Sequence, residues 1–185
     1  SISQTLINPT NTAATLIYTV TPTSGAAGNC VGPNFTVTVT VNPAPLIPNQ
    51  TATVCSGSAF TVTPVNNPPT AVIPAGTTYT WTTPVSSPVG AVTGGSAQAT
   101  GQSSISQTLN NTTNTPATLT YTVTPTSGSC PGGTFTVTVT VNPAPVIPPQ
   151  TVFIYTGGTF IYTPTNNPPP PIVPAGTTYT WTTPV

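Results

Sequence analysis

The chain has 185 residues and contains no Lys, Arg, Asp, Glu or His, so its formal net charge is zero. General acid–base catalysis, metal binding by imidazole or carboxylate, and phosphate recognition by Lys or Arg all need side chains that are missing here. A Ser or Thr hydroxyl without a neighbouring base also stays protonated near neutral pH. The composition therefore predicts a protein that is not an enzyme, has no metal or cofactor site and binds no nucleic acid.

The chain repeats itself at a spacing of about 100 residues. The repeated motifs are SISQTL at Ser1 and Ser104, FTVTVTVNPAP at Phe35 and Phe135, and PAGTTYTWTTPV at Pro74 and Pro174. A period of this length is that of a whole domain. The sequence predicts the C-terminal half of a repeat at residues 1–45, one complete repeat at 46–145, and the N-terminal half of another at 146–185. On this interpretation the chain starts and stops inside domains.

The residue pattern predicts strands and no helix, because apolar and polar residues alternate in short runs bounded by Pro, Gly, Asn or Ser. Pro is frequent, and several good helix formers are scarce or absent. The strands predicted for the complete repeat are A near Gln50–Val54, B near Ala59–Pro64, C near Thr77–Thr83, E at Ile105–Leu109, F at Ala117–Pro125 and G at Thr134–Asn142. The N-terminal half repeat should hold strands E to G, and the C-terminal half repeat strands A to C.

Six or seven short strands in about 100 residues, with a Trp on a central strand and a Tyr on a late one, are typical of an immunoglobulin-like β-sandwich. The predicted fold class is therefore all-β. Trp81, its repeat equivalent Trp181, and Tyr121 are the expected core anchors. The alternative that Trp81 and Trp181 stack on a carbohydrate is less favoured, since a Trp at this strand position is usually buried.

Five ordered motifs, CSGSAFTVTPVN, PAGTTYTWTTPV, SISQTL, YTVTPTSGSC and FTVTVTVNP, carry a family resemblance. Together they resemble the PKD-like, immunoglobulin-like tandem repeats of large secreted and cell-surface proteins of bacteria. The resemblance covers nearly the whole chain. It implies a β-sandwich used as an extracellular spacer, adhesin stalk or fibre module, without an active site.

The three cysteines fall at two positions of the repeat. Cys55 precedes strand B and Cys130 lies in the F–G turn of the same repeat, so they are the expected disulfide pair. Such a bridge would close about 75 residues, stabilise the repeat by about 4 kcal/mol and imply an oxidising compartment. Cys30 matches Cys130 in the repeat, but Tyr155 replaces Cys55 in the last half repeat, so Cys30 should be a free, buried thiol. The alternative is that Cys55 and Cys130 are unpaired and buried.

Covalent sugar would compensate for the absence of charge, because proteins of zero net charge associate readily. Asn-X-Thr sequons begin at Asn34, Asn49, Asn110 and Asn111. Thr makes up about one quarter of the chain, which supports O-linked sugar equally well. The alternative is that such triplets arise by chance in so Thr-rich a sequence.

Half of a sandwich leaves an apolar face and a strand edge uncovered, so something must complete it. The first hypothesis is that strands A to C of one copy pair with strands E to G of the next, a head-to-tail contact that generates a homopolymeric filament. The second is that the 185 residues are a window of a long covalent array. Both predict an extracellular or cell-surface rod, and no stretch of the sequence is apolar enough to span a membrane.

A third hypothesis belongs to another functional class. The alternating Thr136, Thr138 and Thr140 resemble the Thr ladders of ice-binding proteins. Ice or glycan binding is less favoured, because Thr is the commonest polar partner of Val in a strand with one buried face.

Overall fold

The computed structural model describes residues 1–25, 28–168 and 170–184, which form strands and loops without any helix. They divide into two compact units. The first contains the described residues up to 48 together with 64–78 and 124–134, and the second contains 49–63, 79–123 and the described residues after 134. The strands are β1 (Ala14–Val20), β2 (Phe35–Val41), β3 (Gln50–Cys55), β4 (Ser58–Val62), β5 (Thr78–Trp81), β6 (Val85–Ser87), β7 (Val92–Thr93), β8 (Gln98–Gln102), β9 (Ile105–Asn111), β10 (Ala117–Ser127), β11 (Cys130–Pro131) and β12 (Phe135–Asn142).

The second unit is a β-sandwich of two sheets. One sheet has the strand order β3-β12-β10-β5-β8, with β6 also paired to β10, and the other has the order β4-β9-β7. Strands β12 and β3 are parallel, from Val137 opposite Gln50 to Asn142 opposite Cys55. The pairs β10–β12, β10–β6, β4–β9, β5–β8 and β7–β9 are antiparallel. The predicted all-β, immunoglobulin-like fold is therefore confirmed.

The core of this sandwich follows from the alternation of the sequence, which turns every second side chain inward. Inward residues of β10 and β12 are buried almost completely, namely Leu119, Tyr121, Val123, Val137, Val139 and Val141. Aromatic rings join the two sheets, because Phe60 of β4 lies 5.3 Å from the ring of Tyr121. The ring of Trp81 lies edge-on to Tyr121 at 6.3 Å, and its Nε1 donates a hydrogen bond to the Ser96 carbonyl at 2.9 Å. Trp81 and Tyr121 therefore lie in the core.

The six strands predicted for the complete repeat are all present, and their ends differ by at most two residues from the prediction. Four short strands were not predicted: β6, β7, β8 and β11. Three of them lie in or next to the segment 86–103, which is rich in Gly and Ser and shows no sustained alternation of apolar and polar residues. Such strands form through backbone pairing to their neighbours, so they leave little trace in a side-chain pattern.

The first unit contains the hairpin β1–β2, paired from Ala14 opposite Val41 to Val20 opposite Phe35. The loop of this hairpin includes residues 26 and 27, which lie outside the described residues. After β2, the linker is held by two backbone hydrogen bonds of 2.9 and 2.8 Å that Leu46 exchanges with Val72 in the loop 64–78. Side chains of Ile47 and Val72 are buried.

Both half repeats form fewer strands than predicted. Residues 1–13 contain no strand where strand E was expected, and the described residues after 142 contain only one isolated bridge, between Val146 and Ile172. The cause is the absence of partner strands. In the complete repeat β9 pairs with β4, and β3 pairs with β12, whereas each half repeat holds only one member of each such pair.

Candidate assembly surfaces

The N-terminal half repeat carries the inward side chains of the sandwich but leaves them uncovered. Ile2 is 52% exposed, whereas its repeat equivalent Ile105 is fully buried. Leu16 is 38% exposed, whereas Leu119 is 3% exposed. A groove of about 280 Å³ opens on this face, lined by Ile2, Ser3, Gln4, Leu6, Tyr18, Val37 and Val39. The half repeat therefore presents an unfilled copy of one side of the core.

An asparagine fixes the shape of this face before anything covers it. Asn8 Nδ2 donates hydrogen bonds to the carbonyl oxygens of Thr12 and Val41 at 2.7 and 2.8 Å. Asn111, its equivalent in the complete repeat, makes the two corresponding bonds at the same distances. The uncovered half repeat thus already has the local geometry of the covered one.

A tyrosine–glutamine pair is reproduced in the same way. Tyr18 donates its hydroxyl to Gln4 Oε1 at 2.7 Å, and Tyr121 donates to Gln107 Oε1 at 2.9 Å. Burial in the complete repeat raises the pKa of Tyr121 above its ordinary value, so the hydroxyl stays neutral and remains a donor. These glutamines and the structural role of the asparagines were not predicted from the sequence, where their only signal is the recurrence of SISQTL and the residues after it.

The C-terminal half repeat exposes side chains of the opposite side of the core. Trp181 is 86% exposed, whereas Trp81 is 6% exposed, and Phe160 is 59% exposed, whereas Phe60 is 2% exposed. A groove of about 330 Å³ is lined by Gln150, Val152, Ile154, Phe160 and Tyr162. The prediction that Trp181 is a core anchor is wrong for a single copy, because the described residues after 145 form no equivalent of the strands β8 and β10 that flank β5.

The loops of the C-terminal half repeat nevertheless have the geometry of the complete one. Val146 and Ile172 exchange backbone hydrogen bonds of 2.9 and 2.8 Å, the same bonds that join the linker to the loop 64–78. Asn166 Oδ1 accepts a hydrogen bond from the backbone N–H of Val173 at 2.8 Å, and the matching bond one repeat earlier is 2.7 Å long. Both half repeats are therefore preorganised around their uncovered faces.

The cysteines differ from the expected arrangement. Cys30, Cys55 and Cys130 are all free thiols, so the expected Cys55–Cys130 disulfide is not present in the structure. The strand register explains its absence, because Cys55 lies opposite Asn142 at the end of β12, whereas Cys130 pairs with Ser127 before β12 begins. Cys55 is exposed because it ends β3 on the outward side of the alternation. Cys30 is exposed rather than buried. Its equivalent Cys130 is only half-buried in the complete repeat, so this place in the repeat is not a core position.

The sequons fall into two groups. Asn34, Asn49 and Asn110 are exposed. Asn111 is buried, and its Nδ2, the atom to which N-linked sugar is attached, already donates two hydrogen bonds. Folded Asn111 is therefore not an acceptor, whereas glycosylation at the other three positions stays a prediction.

The described residues give little support for a catalytic or metal-binding centre. They contain no group of three or more His, Cys, Asp or Glu side chains that could hold a metal ion. They also form no helix of the length and apolarity that a membrane span requires. What they offer is contact surface, in the form of apolar faces and unpaired backbone edges.

Comparison with known proteins agrees with this description. A family model described as the PKD-like domain matches residues 1–45 and 52–145, about three quarters of the chain. No curated protein matches the sequence. PKD-like domains occur in extracellular or surface proteins and are typically non-catalytic structural or adhesion modules. With its sandwich, its repeats and this match, the chain belongs to the PKD-like domain family.

Proposed function

We propose that the protein is a structural subunit of an extracellular fibril, in which residues 146–185 of one copy and residues 1–45 of the next form one sandwich. The observation that carries the proposal is that the two half repeats expose opposite sides of the same core. The complete repeat shows how these sides fit, because Phe60 and Trp81 lie against Tyr121 there. Phe160 and Trp181 would take the same places against Tyr18. Since the contact is head-to-tail, it continues from copy to copy into a filament.

The number of exposed apolar side chains favours this association. Fully burying one large apolar side chain contributes about 1.5–3 kcal/mol, whereas association of two proteins costs about 4–15 kcal/mol. One or two such side chains would not be enough. The half repeats together expose a larger set, namely Ile2, Leu16, Phe35, Phe160, Tyr162, Tyr179 and Trp181. Backbone hydrogen bonds between the C-terminal half repeat of one copy and the N-terminal half repeat of the next would add to this apolar contribution.

The absence of charge supports the same proposal. Net charge keeps soluble proteins apart, and this chain has none. Copies can therefore approach without electrostatic repulsion at any salt concentration. Sugars on exposed Asn and Thr side chains would keep the completed filament soluble.

The decisive variant is Trp181→Thr in the full chain. Trp181 is almost wholly exposed in one copy, so its loss should leave the dispersed chain folded and raise the critical concentration for filament formation at least about tenfold. Val89→Thr is the matched control, because Val89 is 95% exposed and lies outside both half repeats. Sedimentation velocity and negative-stain electron microscopy give the readout. A wild-type chain that stays monomeric at millimolar concentration, or a Trp181→Thr chain that assembles like the wild type, would overturn the proposal.

The covalent-array hypothesis is tested on native material. Discrete subunits give an intact mass near that of the bare 185 residues, with heterogeneous excess mass if sugars are attached. A single very large polypeptide would show instead that the missing halves are supplied within one chain.

A further inference from the structure

Gly132 of the first unit is a glycine because another segment of chain passes very close to it. Its backbone is outside the left-handed region, so its conformation alone does not demand glycine. A Cβ at this position would lie 2.9 Å from the carbonyl carbon of Pro45 and closer still to its oxygen, and 3.0 Å from Cγ of Pro125. The residue therefore leaves a notch in which the linker carbonyl of Pro45 is seated.

Gly32 occupies the same place in the N-terminal half repeat, with the same local geometry. Its N–H donates to the Pro22 carbonyl at 2.8 Å, just as that of Gly132 donates to Pro125 at 2.8 Å. A Cβ at Gly32 would lie 3.1 Å from Cγ of Pro22, and the three nearest atoms all belong to Pro22. Gly32 also lies outside the left-handed region. Within one chain, a Cβ at Gly32 would require only a small shift of the Pro22 ring, whereas a Cβ at Gly132 would overlap a backbone carbonyl.

A matching linker exists at the other end of the chain. The sequence VNPAP precedes both Leu46 and Val146. The start of the second linker is held in the same way as the first, by the two backbone hydrogen bonds between Val146 and Ile172. Pro145 therefore precedes a segment that is hydrogen-bonded to a loop of the repeat that follows it, just as Pro45 does.

We infer that the notch at Gly32 binds the backbone carbonyl of Pro145 from a second copy of this chain. This inference rests on the proposed function and adds the element that positions one subunit on the next. With the Pro145 carbonyl in this notch, the contact between two copies would have the same geometry as the contact between Pro45 and Gly132 within one copy. Gly32 is then a positioning residue of the assembly, because any side chain there would displace the linker.

The test compares Gly32→Ala with Gly25→Ala in the full chain. Among the described residues beyond its chain neighbours, no heavy atom lies within 4 Å of a Cβ placed at Gly25, so that variant should assemble like the wild type. Gly32→Ala should keep the thermal unfolding profile of the dispersed chain and raise the critical concentration for filament formation at least about tenfold. A Gly32→Ala chain that assembles at the wild-type concentration would overturn the inference. If Trp181→Thr still blocks assembly in that case, the proposed function stands without the notch. A wild-type chain that never assembles would overturn both.

A cross-link tests the same contact without altering Gly32. Pro43 and Cys130 line one pocket of about 520 Å³. Their equivalents in the proposed contact between copies are Pro143 of one copy and Cys30 of the next. Because these residues face one pocket, a bifunctional thiol-reactive cross-linker long enough to span it should link Pro143→Cys of one copy to Cys30 of the next and give a ladder of covalent oligomers on a denaturing gel. The ladder should disappear when Cys30→Ser is added. Filaments that give no Cys30-dependent ladder would contradict the inference.

Discussion

At the scale of single residues, Asn111 closes the turn after β9 with a complete set of hydrogen bonds. Its Nδ2 donates to the carbonyls of Thr115 and Val141, and its Oδ1 accepts from the backbone N–H and the hydroxyl of Thr113. The side chain and its bond to the Val141 carbonyl are buried, so water does not replace that bond, while the bonds to Thr113 and Thr115 are partly buried. The recurrence of the same arrangement at Asn8 indicates that this residue is built into the repeat itself.

Replacing Asn111 by Ala should lower the free energy of unfolding by about 1–3 kcal/mol, because the buried bond to the Val141 carbonyl and the partly buried bonds to Thr113 and Thr115 are lost. Asn110→Ala is the control and should change it by less than about 0.5 kcal/mol, since Asn110 is exposed. Urea unfolding of the two variants provides the measurement. Equal stabilities would show that the buried bonds of Asn111 contribute nothing to the fold.

At the scale of elements, the same segment of sequence behaves differently according to whether its partner strand is present. The segment 50–62 forms β3 and β4, while its equivalent 150–162 forms no strand. Strand formation here depends on pairing across the sandwich more than on local preference, as is usual for β-structure.

Hydrogen exchange should reveal this dependence directly. In the dispersed chain, backbone amides of residues 151–162 should exchange rapidly, because they lie outside any ladder. In filaments, the same amides should become protected by a factor of at least about 100, since pairing with the next copy completes the ladders. Strands β3 and β4 are the internal control and should be protected in both states. Amides of 151–162 that exchange equally fast in filaments would argue against strand complementation.

Most of the complete repeat could be predicted from sequence, because strict alternation of Val with Thr marks which strands are half-buried. The alternation placed β10 and β12 correctly and with them the burial of Tyr121. It could not reveal β7 and β8, which are short and poor in alternating apolar residues, nor the burial of Asn111, which depends on a distant carbonyl of Val141. The same pattern overpredicted strands in the half repeats, because it reports the capacity of a segment to pair and carries no information on whether the partner is present.

At the scale of the whole molecule, a chain without Asp, Glu, His, Lys or Arg has almost no side chain that titrates between pH 4 and 8. The melting temperature of the dispersed chain should therefore be constant over that range and nearly independent of salt. Burial raises the pKa of Tyr121 and Tyr79 above the ordinary value of about 10. Their contribution to stability is complete below pH 10 and is lost as the pH rises above it, because the unfolded chain then releases protons that the folded chain retains.

Differential scanning calorimetry from pH 4 to 11 checks this expectation. Tyr121→Phe should make the decline above pH 10 shallower and leave the curve flat at lower pH. A change of several degrees between pH 4 and 8 would contradict the account, because no described side chain could produce it.

The parallel pairing of β3 with β12 has a consequence for how the repeat responds to force. These are the first and last strands of the complete repeat, and they lie side by side in the same direction. Tension applied to the two ends of the repeat pulls them in opposite directions along their own axes. The ladder from Gln50–Cys55 to Val137–Asn142 is then loaded in shear, so its hydrogen bonds must yield together rather than open one at a time as in a pulled hairpin. The strand pair therefore acts as a mechanical clamp in the path of the load.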